Sequence, residues 1–266
     1  MKLTGFPGSV KAEVTSSNTV GYTKISIPAG KQTIIGVQFQ QINGGTVDLQ
    51  NIKTEGYSQN GGDWVMIWDA PTQSYTKAFY WGENSADGGV WTGGADDPDA
   101  VCLGAGWGDT DAVVIDATLS AGQGLWTKSV QQGQILVSGE VATSLEVSIP
   151  AGKQTLVCNP LPVEVDLQDI AATGYSQNGG DWVMVWDATT QSYTKAFYWG
   201  ENSADGGVWT GGADDPDAVC LGAGWGDTDA VVVNATIAVG QGFWTKSVAT
   251  GTLVFPALPA ASAGQD

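Results

Sequence analysis

Two short acidic runs, Asp96-Asp97-Pro98-Asp99 and Asp109-Thr110-Asp111, are the residues whose types and spacing come nearest to chemistry. Both recur, as Asp214-Asp215-Pro216-Asp217 and Asp227-Thr228-Asp229. Loops dense in carboxylate oxygen suit Ca²⁺, a hard cation that takes six to eight oxygen ligands. The Asp-x-Asp-x-Asp-Gly spacing of an EF-hand is absent, so the two runs of each copy would have to meet in space. The candidate ligands are Asp96, Asp97, Asp99, Asp109 and Asp111, with Asp214, Asp215, Asp217, Asp227 and Asp229 in the second copy. The competing reading is a solvated acidic loop. No other cofactor is called for.

Catalysis is harder to build. The chain has no His, which removes the commonest general base and the commonest zinc ligand. A carboxylate pair using Glu83 in Tyr80-Trp81-Gly82-Glu83-Asn84 would suit a glycosidase, but a chain with 28 acidic residues offers many such pairs. The expectation is a protein that is not an enzyme. Gly104-Ala105-Gly106-Trp107-Gly108 lacks the strand-to-helix setting and the Lys of a phosphate loop and reads as a turn. Cys102 and Cys220 each sit in Ala-Val-Cys-Leu-Gly, an apolar run expected to bury unpaired thiols, while Cys158 has no equivalent. A Cys158–Cys220 bond is the alternative.

Residues 56–114 recur at 174–232 with two differences, Ile67 for Val185 and Pro71 for Thr189. A single-site enzyme gains little from two identical faces, whereas a multivalent binder or a self-assembling subunit gains directly. The flanks at 34–55 and 152–173 differ in length and sequence. This contrast fits a body whose junction segments face different neighbours, one its covalent partner and the other a separate chain; a recent duplication is the alternative.

Strand signals surround these residues. Tyr22–Ile27, Thr33–Phe39, Trp64–Asp69, Ser74–Trp81, Ala100–Leu103, Asp111–Leu119 and Gly124–Lys128 are rich in β-branched and aromatic residues and bounded by turn formers. Helical periodicity is scarce. In Trp64-Val65-Met66-Ile67-Trp68 a period of two puts Trp64, Met66 and Trp68 on one face and Val65 and Ile67 on the other. Both faces are apolar, so the strand is either central or covered by a neighbour. Tyr75, Lys77, Phe79 and Trp81 share a second strip suited to sugar stacking or an interface. The fold expected is all-β, two tandem antiparallel β-sandwich (jelly-roll-like) domains spanning 1–138 and 139–266.

The charge of −18, with all ten basic residues Lys, argues against nucleic acid. Residues 1–20 hold no apolar run of signal-peptide length, and no stretch reaches membrane-spanning length. A Gly-, Thr-, Ser-, Asn- and Trp-rich chain without Arg or His resembles bacterial surface-layer and fibre subunits in composition. That resemblance implies a secreted, mature form at the cell surface or outside it. The expected function is a non-enzymatic extracellular structural subunit that assembles with copies of itself into a filament, tube or surface array. Terminal-strand exchange would join chains, with Ser9–Val14 lying beside the Thr252–Phe255 segment of the next, while Ala257–Asp266 ends in a loose tail. The alternative is a bivalent carbohydrate-binding module or adhesin using surface Trp and Tyr, with polysaccharide as partner.

Overall fold

The computed structural model describes residues 20–41, 45–93, 96–141, 146–211 and 214–258. Ser9–Val14 and the chain from 259 onward lie outside the described residues. The fold is all-β, built from small antiparallel sheets, with two short 3-10 turns and no α-helix among the described residues.

The first half contains β1 (Val20–Ile27), β2 (Gln32–Gly36), β3 (Phe39–Gln40), β4 (Val47–Asp48), β5 (Lys53–Glu55), β6 (Asn60–Asp69) and β7 (Ser74–Trp81). It continues through β8 (Val90–Trp91), β9 (Cys102–Gly104), β10 (Gly106–Gly108), β11 (Thr118–Leu119), β12 (Gly124–Lys128) and β13 (Gly133–Val141). The second half repeats the series as β14 (Glu146–Ile149), β15 (Gln154–Cys158), β16 (Val165–Asp166), β17 (Ala171–Thr173), β18 (Asn178–Asp187) and β19 (Ser192–Trp199). It ends with β20 (Val208–Trp209), β21 (Cys220–Gly222), β22 (Gly224–Gly226), β23 (Thr236–Ile237), β24 (Gly242–Lys246) and β25 (Gly251–Val254).

The alternation in β6 sets the architecture. Val65 and Ile67 turn into a core, and Trp64, Met66 and Trp68 turn the other way. β6 is central in a five-stranded sheet of order β10-β7-β6-β12-β2. A second sheet, in which β13 pairs with β1, β3 and β5, supplies Ile27, Ile135 and Val137 to the same core. The equivalent five-stranded sheet of the second half, β15-β24-β18-β19-β22, contributes Val183 and Phe243 to a core that also takes Leu253 from the sheet β14-β25-β17.

β25 is paired on both edges within its own chain, by β14 and β17. Thr252–Val254 therefore offer no open edge to an incoming strand, because both sides are already paired.

Two of the expected elements take a different form. The Asp111–Leu119 strand reduces to Thr118–Leu119, because Asp109 closes a turn onto Asp111 and Val113 and Ala112 adopts φ 58°. The glycine-rich 104–108 run is not simply a turn: Gly106–Gly108 pairs with β7 and carries the fully buried Trp107. Glycine serves here for close approach, since a Cβ on Gly106 would sit 2.5 Å from the Gln50 amide oxygen. That amide oxygen accepts the Trp107 N–H, and the amide nitrogen donates to the Trp107 and Ile115 carbonyls.

Candidate functional site

The two acidic runs of each copy do come together, around a shared depression of about 440 Å³. Asp96, Asp97 and Asp111 line the first depression and Asp214, Asp215 and Asp229 the second. Asp87 and Asp205 join them, two carboxylates that sequence reasoning passed over as members of the Ser-Ala-Asp-Gly-Gly turns.

The remaining candidates have internal work. Asp109 accepts the Asp111 and Val113 N–H groups at 2.9 and 3.0 Å, and its carbonyl accepts from the Trp81 indole. Asp227 repeats this with Asp229, Val231 and Trp199. Asp99 and Asp217 present their N–H groups to Asp97 and Asp215. Among the described residues no three acidic or cysteine side chains gather closely enough to hold a metal ion. The depressions concentrate negative charge without closing on one point. Glu83 is exposed on the turn after β7.

The indole-rich faces of the two large sheets meet each other. Ile34, Trp126, Leu156 and Trp244 form a third core, flanked by Trp64, Met66, Trp68 and their equivalents. The covering neighbour for β6 is thus the other half of the same chain. The bonds across this junction come in exchanged pairs, the mark of an approximate twofold axis. Trp68 donates to the Gln154 carbonyl at 2.8 Å, and Trp186 donates to the Gln32 carbonyl at 2.9 Å. Gln73 bonds the Gln154 backbone through both amide atoms, as Gln191 bonds that of Gln32. The Gly36 N–H reaches the Gly240 carbonyl, and the Cys158 N–H reaches that of Gly122.

Six rings close a circuit around this axis. Trp68 packs on Tyr75 and Trp244, and Trp186 packs on Tyr193 and Trp126. The Tyr75 and Tyr193 phenols lie beside the Trp126 and Trp244 indoles, completing it. Burial raises both phenols above the ordinary value, and the neighbouring indoles oppose the shift. Beside the circuit, Lys77 lies 4.9 Å from the Trp64 ring centroid and 4.6 Å from that of Phe79, a cation–π arrangement repeated by Lys195 with Trp182 and Phe197.

The repeated cysteines are placed differently from expectation. Cys102 and Cys220 are exposed, not buried. β9 is half of a two-stranded flap with β8 and pairs with no other strand among the described residues, so an apolar run that reads like a core strand faces solvent. Val101 and Leu103 are 59% and 52% exposed, and Val219 and Leu221 match them. Cys158 is buried against the Val37 carbonyl, and burial pushes its thiol up. All three cysteines are free, so the Cys158–Cys220 bond does not form.

The chain matches no known family model, no curated protein and no solved structure.

Proposed function

We propose that this chain is a non-enzymatic structural subunit that assembles with copies of itself outside the cell. The observation that carries the reading is the duplicated flap. β9 and β21 each pair on one side only among the described residues, and each carries an exposed Leu with an exposed Val two residues before it. An open strand edge with exposed apolar side chains is a template for pairing with another chain. A subunit with two such edges, each able to meet its own kind, extends into an open array instead of stopping at a dimer.

A paired-sandwich architecture suits this role. Each core lies between two opposed antiparallel sheets, as in a β-sandwich, and the two sandwiches lock face to face through the indole junction. The result is a stiff spacer with one flap from each sandwich. In this reading Ca²⁺ lowers the repulsion between chains of charge −18 by occupying the acidic depressions beside the flaps. The sugar-stacking alternative loses much of its surface, since the junction draws in most of the indoles of β6, β12, β18 and β24.

Sedimentation velocity across a concentration series, with Ca²⁺ and then with chelator, tests the proposal. The wild type should form long species that shorten on chelation. Val101→Lys with Leu103→Lys should stop growth at dimers, and adding Val219→Lys with Leu221→Lys should leave monomers. A wild-type chain that stays monomeric at high concentration with Ca²⁺ would overturn the reading.

A further inference from the structure

At the edge of the junction, on both sides of the pseudo-twofold axis, lie two related depressions, and they are not equal. The smaller, about 360 Å³, includes Trp68, Asp69, Pro71, Thr76 and Thr155. The larger, about 450 Å³, takes the equivalents Trp186, Asp187, Thr194 and Thr33 and extends over Asn234 and Val239. The surroundings of the two depressions also differ in sequence. Asn234 replaces Asp116, Val239 replaces Ala121, and Thr189 replaces Pro71.

The polar groups of the larger pocket are in want of partners. Thr33, Thr194, Asn234 and Thr236 line it; Thr194, Asn234 and Thr236 are exposed, and the four side chains have no hydrogen-bond partner among the described residues. The Thr33 hydroxyl is buried without a partner, as is the equivalent Thr155 hydroxyl of the smaller depression, so the Asn234 carboxamide is the polar group that sets the larger pocket apart. Buried polar groups are nearly always paired in folded proteins, so the unpaired Thr33 hydroxyl at this cavity points to a ligand that pairs it, with the exposed Thr194, Asn234 and Thr236 side chains free to add bonds to it.

The chemistry of the lining selects the ligand. Three hydroxyls and one carboxamide are uncharged and can both donate and accept. No Lys lines the pocket, and the exposed Asp187 carboxylate at its rim repels anions. Replacing the Asp116 carboxylate by the Asn234 amide keeps a second charge out. The Trp186 indole with Ile34, Ile35 and Val185 offers an apolar wall. A sugar ring combines a hydroxyl-bearing edge with an apolar face, and the volume lies within the range of small-molecule sites. We propose that this pocket is a binding site for one uncharged saccharide unit, a single site per chain, made jointly by the two halves. This goes beyond the assembly reading and differs from a bivalent surface module, which would have two equal sites.

Titration calorimetry and saturation-transfer NMR with the methyl glycosides of glucose, galactose, mannose and N-acetylglucosamine test it. They are run on the four-Lys flap variant and on the wild type, so that failure to assemble does not interfere. At least one glycoside should bind with a stoichiometry of one. Asn234→Asp, which restores the residue found in the first copy, and Thr194→Val should each weaken binding about tenfold, the worth of one hydrogen bond of roughly 1.4 kcal/mol. Val239→Trp should fill the pocket and abolish binding. Thr76→Val, the equivalent change in the smaller depression, should leave it unaltered. The proposal is overturned if no glycoside binds up to its solubility. It is equally overturned if binding survives Asn234→Asp and Val239→Trp, or if two equal sites appear and Thr76→Val weakens one.

Discussion

The repeated body and the segment that crosses the pseudo-twofold axis are built on opposite rules. In the body, identical residues make identical bonds: Trp81 to the Asp109 carbonyl and Trp199 to the Asp227 carbonyl, both at 2.9 Å. At the axis the copies diverge, with Gly36-Val37-Gln38 opposite Cys158-Asn159-Pro160. The reason is steric. A residue on a twofold axis meets its own equivalent, so two large side chains collide there and two glycines leave a gap. A Cβ on Gly36 would lie 2.2 Å from the Cys158 Cβ, so one copy supplies the bulk and the other the space. The flanks differ because they meet each other, and the fusion of two copies in one chain is what allows them to differ.

If the body follows one rule, equivalent substitutions there should cost the same in both copies. Asp63 is fully buried and accepts from the Ser58 and Val130 N–H groups and the Ser129 hydroxyl; Asp181 repeats this with Ser176, Val248 and Ser247. Asp63→Ala and Asp181→Ala each strand three donors and should each destabilise by about 4 kcal/mol, read from urea unfolding. A difference of more than half that figure between them would break the equivalence.

At the axis the outcome should depend on which copy is changed. Gly36→Val forces side-chain atoms into Cys158 and the Gln123 carbonyl and should cost about 3 kcal/mol by overpacking. Cys158→Gly should cost less, through a small cavity. Gly36→Cys combined with Cys158→Gly moves the bulk across the axis and should recover most of the loss of Gly36→Cys alone. A double-mutant cycle measures this, and additive losses would show that the two positions do not share the space.

How much of this was legible in the sequence depends on whether the deciding partner is near in the chain. Ser74–Trp81 and Gly124–Lys128 match β7 and β12 end to end, and the two faces of β6 read correctly from their alternation. These are properties of a local pattern. The exposure of Cys102 was not legible, because Ala-Val-Cys-Leu-Gly has the same composition in a covered strand as in a two-stranded flap, and only packing against distant residues distinguishes them. The pairing of Trp107 was hidden for the opposite reason: Gln50 and β7, far away in sequence, turn a glycine run into a strand. The meeting of the acidic runs was open in the sequence and is met in the structure, with Asp87 added and Asp99 and Asp109 left outside.

The junction bonds give a smaller and symmetrical effect. Trp68→Phe loses the bond to the Gln154 carbonyl, and Trp186→Phe loses the bond to that of Gln32. Each should cost about 1 kcal/mol, with the double variant close to additive because the two bonds lie on opposite sides of the axis.

The smallest effect at neutral pH becomes visible in alkali. The Tyr57 phenol bonds the Thr127 hydroxyl at 2.8 Å, and Tyr175 bonds Thr245 at 2.7 Å. Burial first, with a nearby buried Asp as a lesser contribution, raises both phenols well above their ordinary 10.0. In the unfolded chain these phenols release their protons near pH 10, while the folded chain holds them. The unfolded state therefore binds fewer protons above that pH, and stability falls as pH rises, by up to about 1.4 kcal/mol per pH unit for each tyrosine. Tyr57→Phe should lower stability by about 1 kcal/mol at pH 7 through the lost bond and flatten the decline above pH 10. Tyr175→Phe should trace the same curve, since the two phenols sit in copies of one environment. Chemical unfolding at pH 7, 10 and 11 measures both. Superposed curves extend the equivalence of the copies to their cores, whereas a flattening confined to one variant would place an asymmetry inside the repeated body itself.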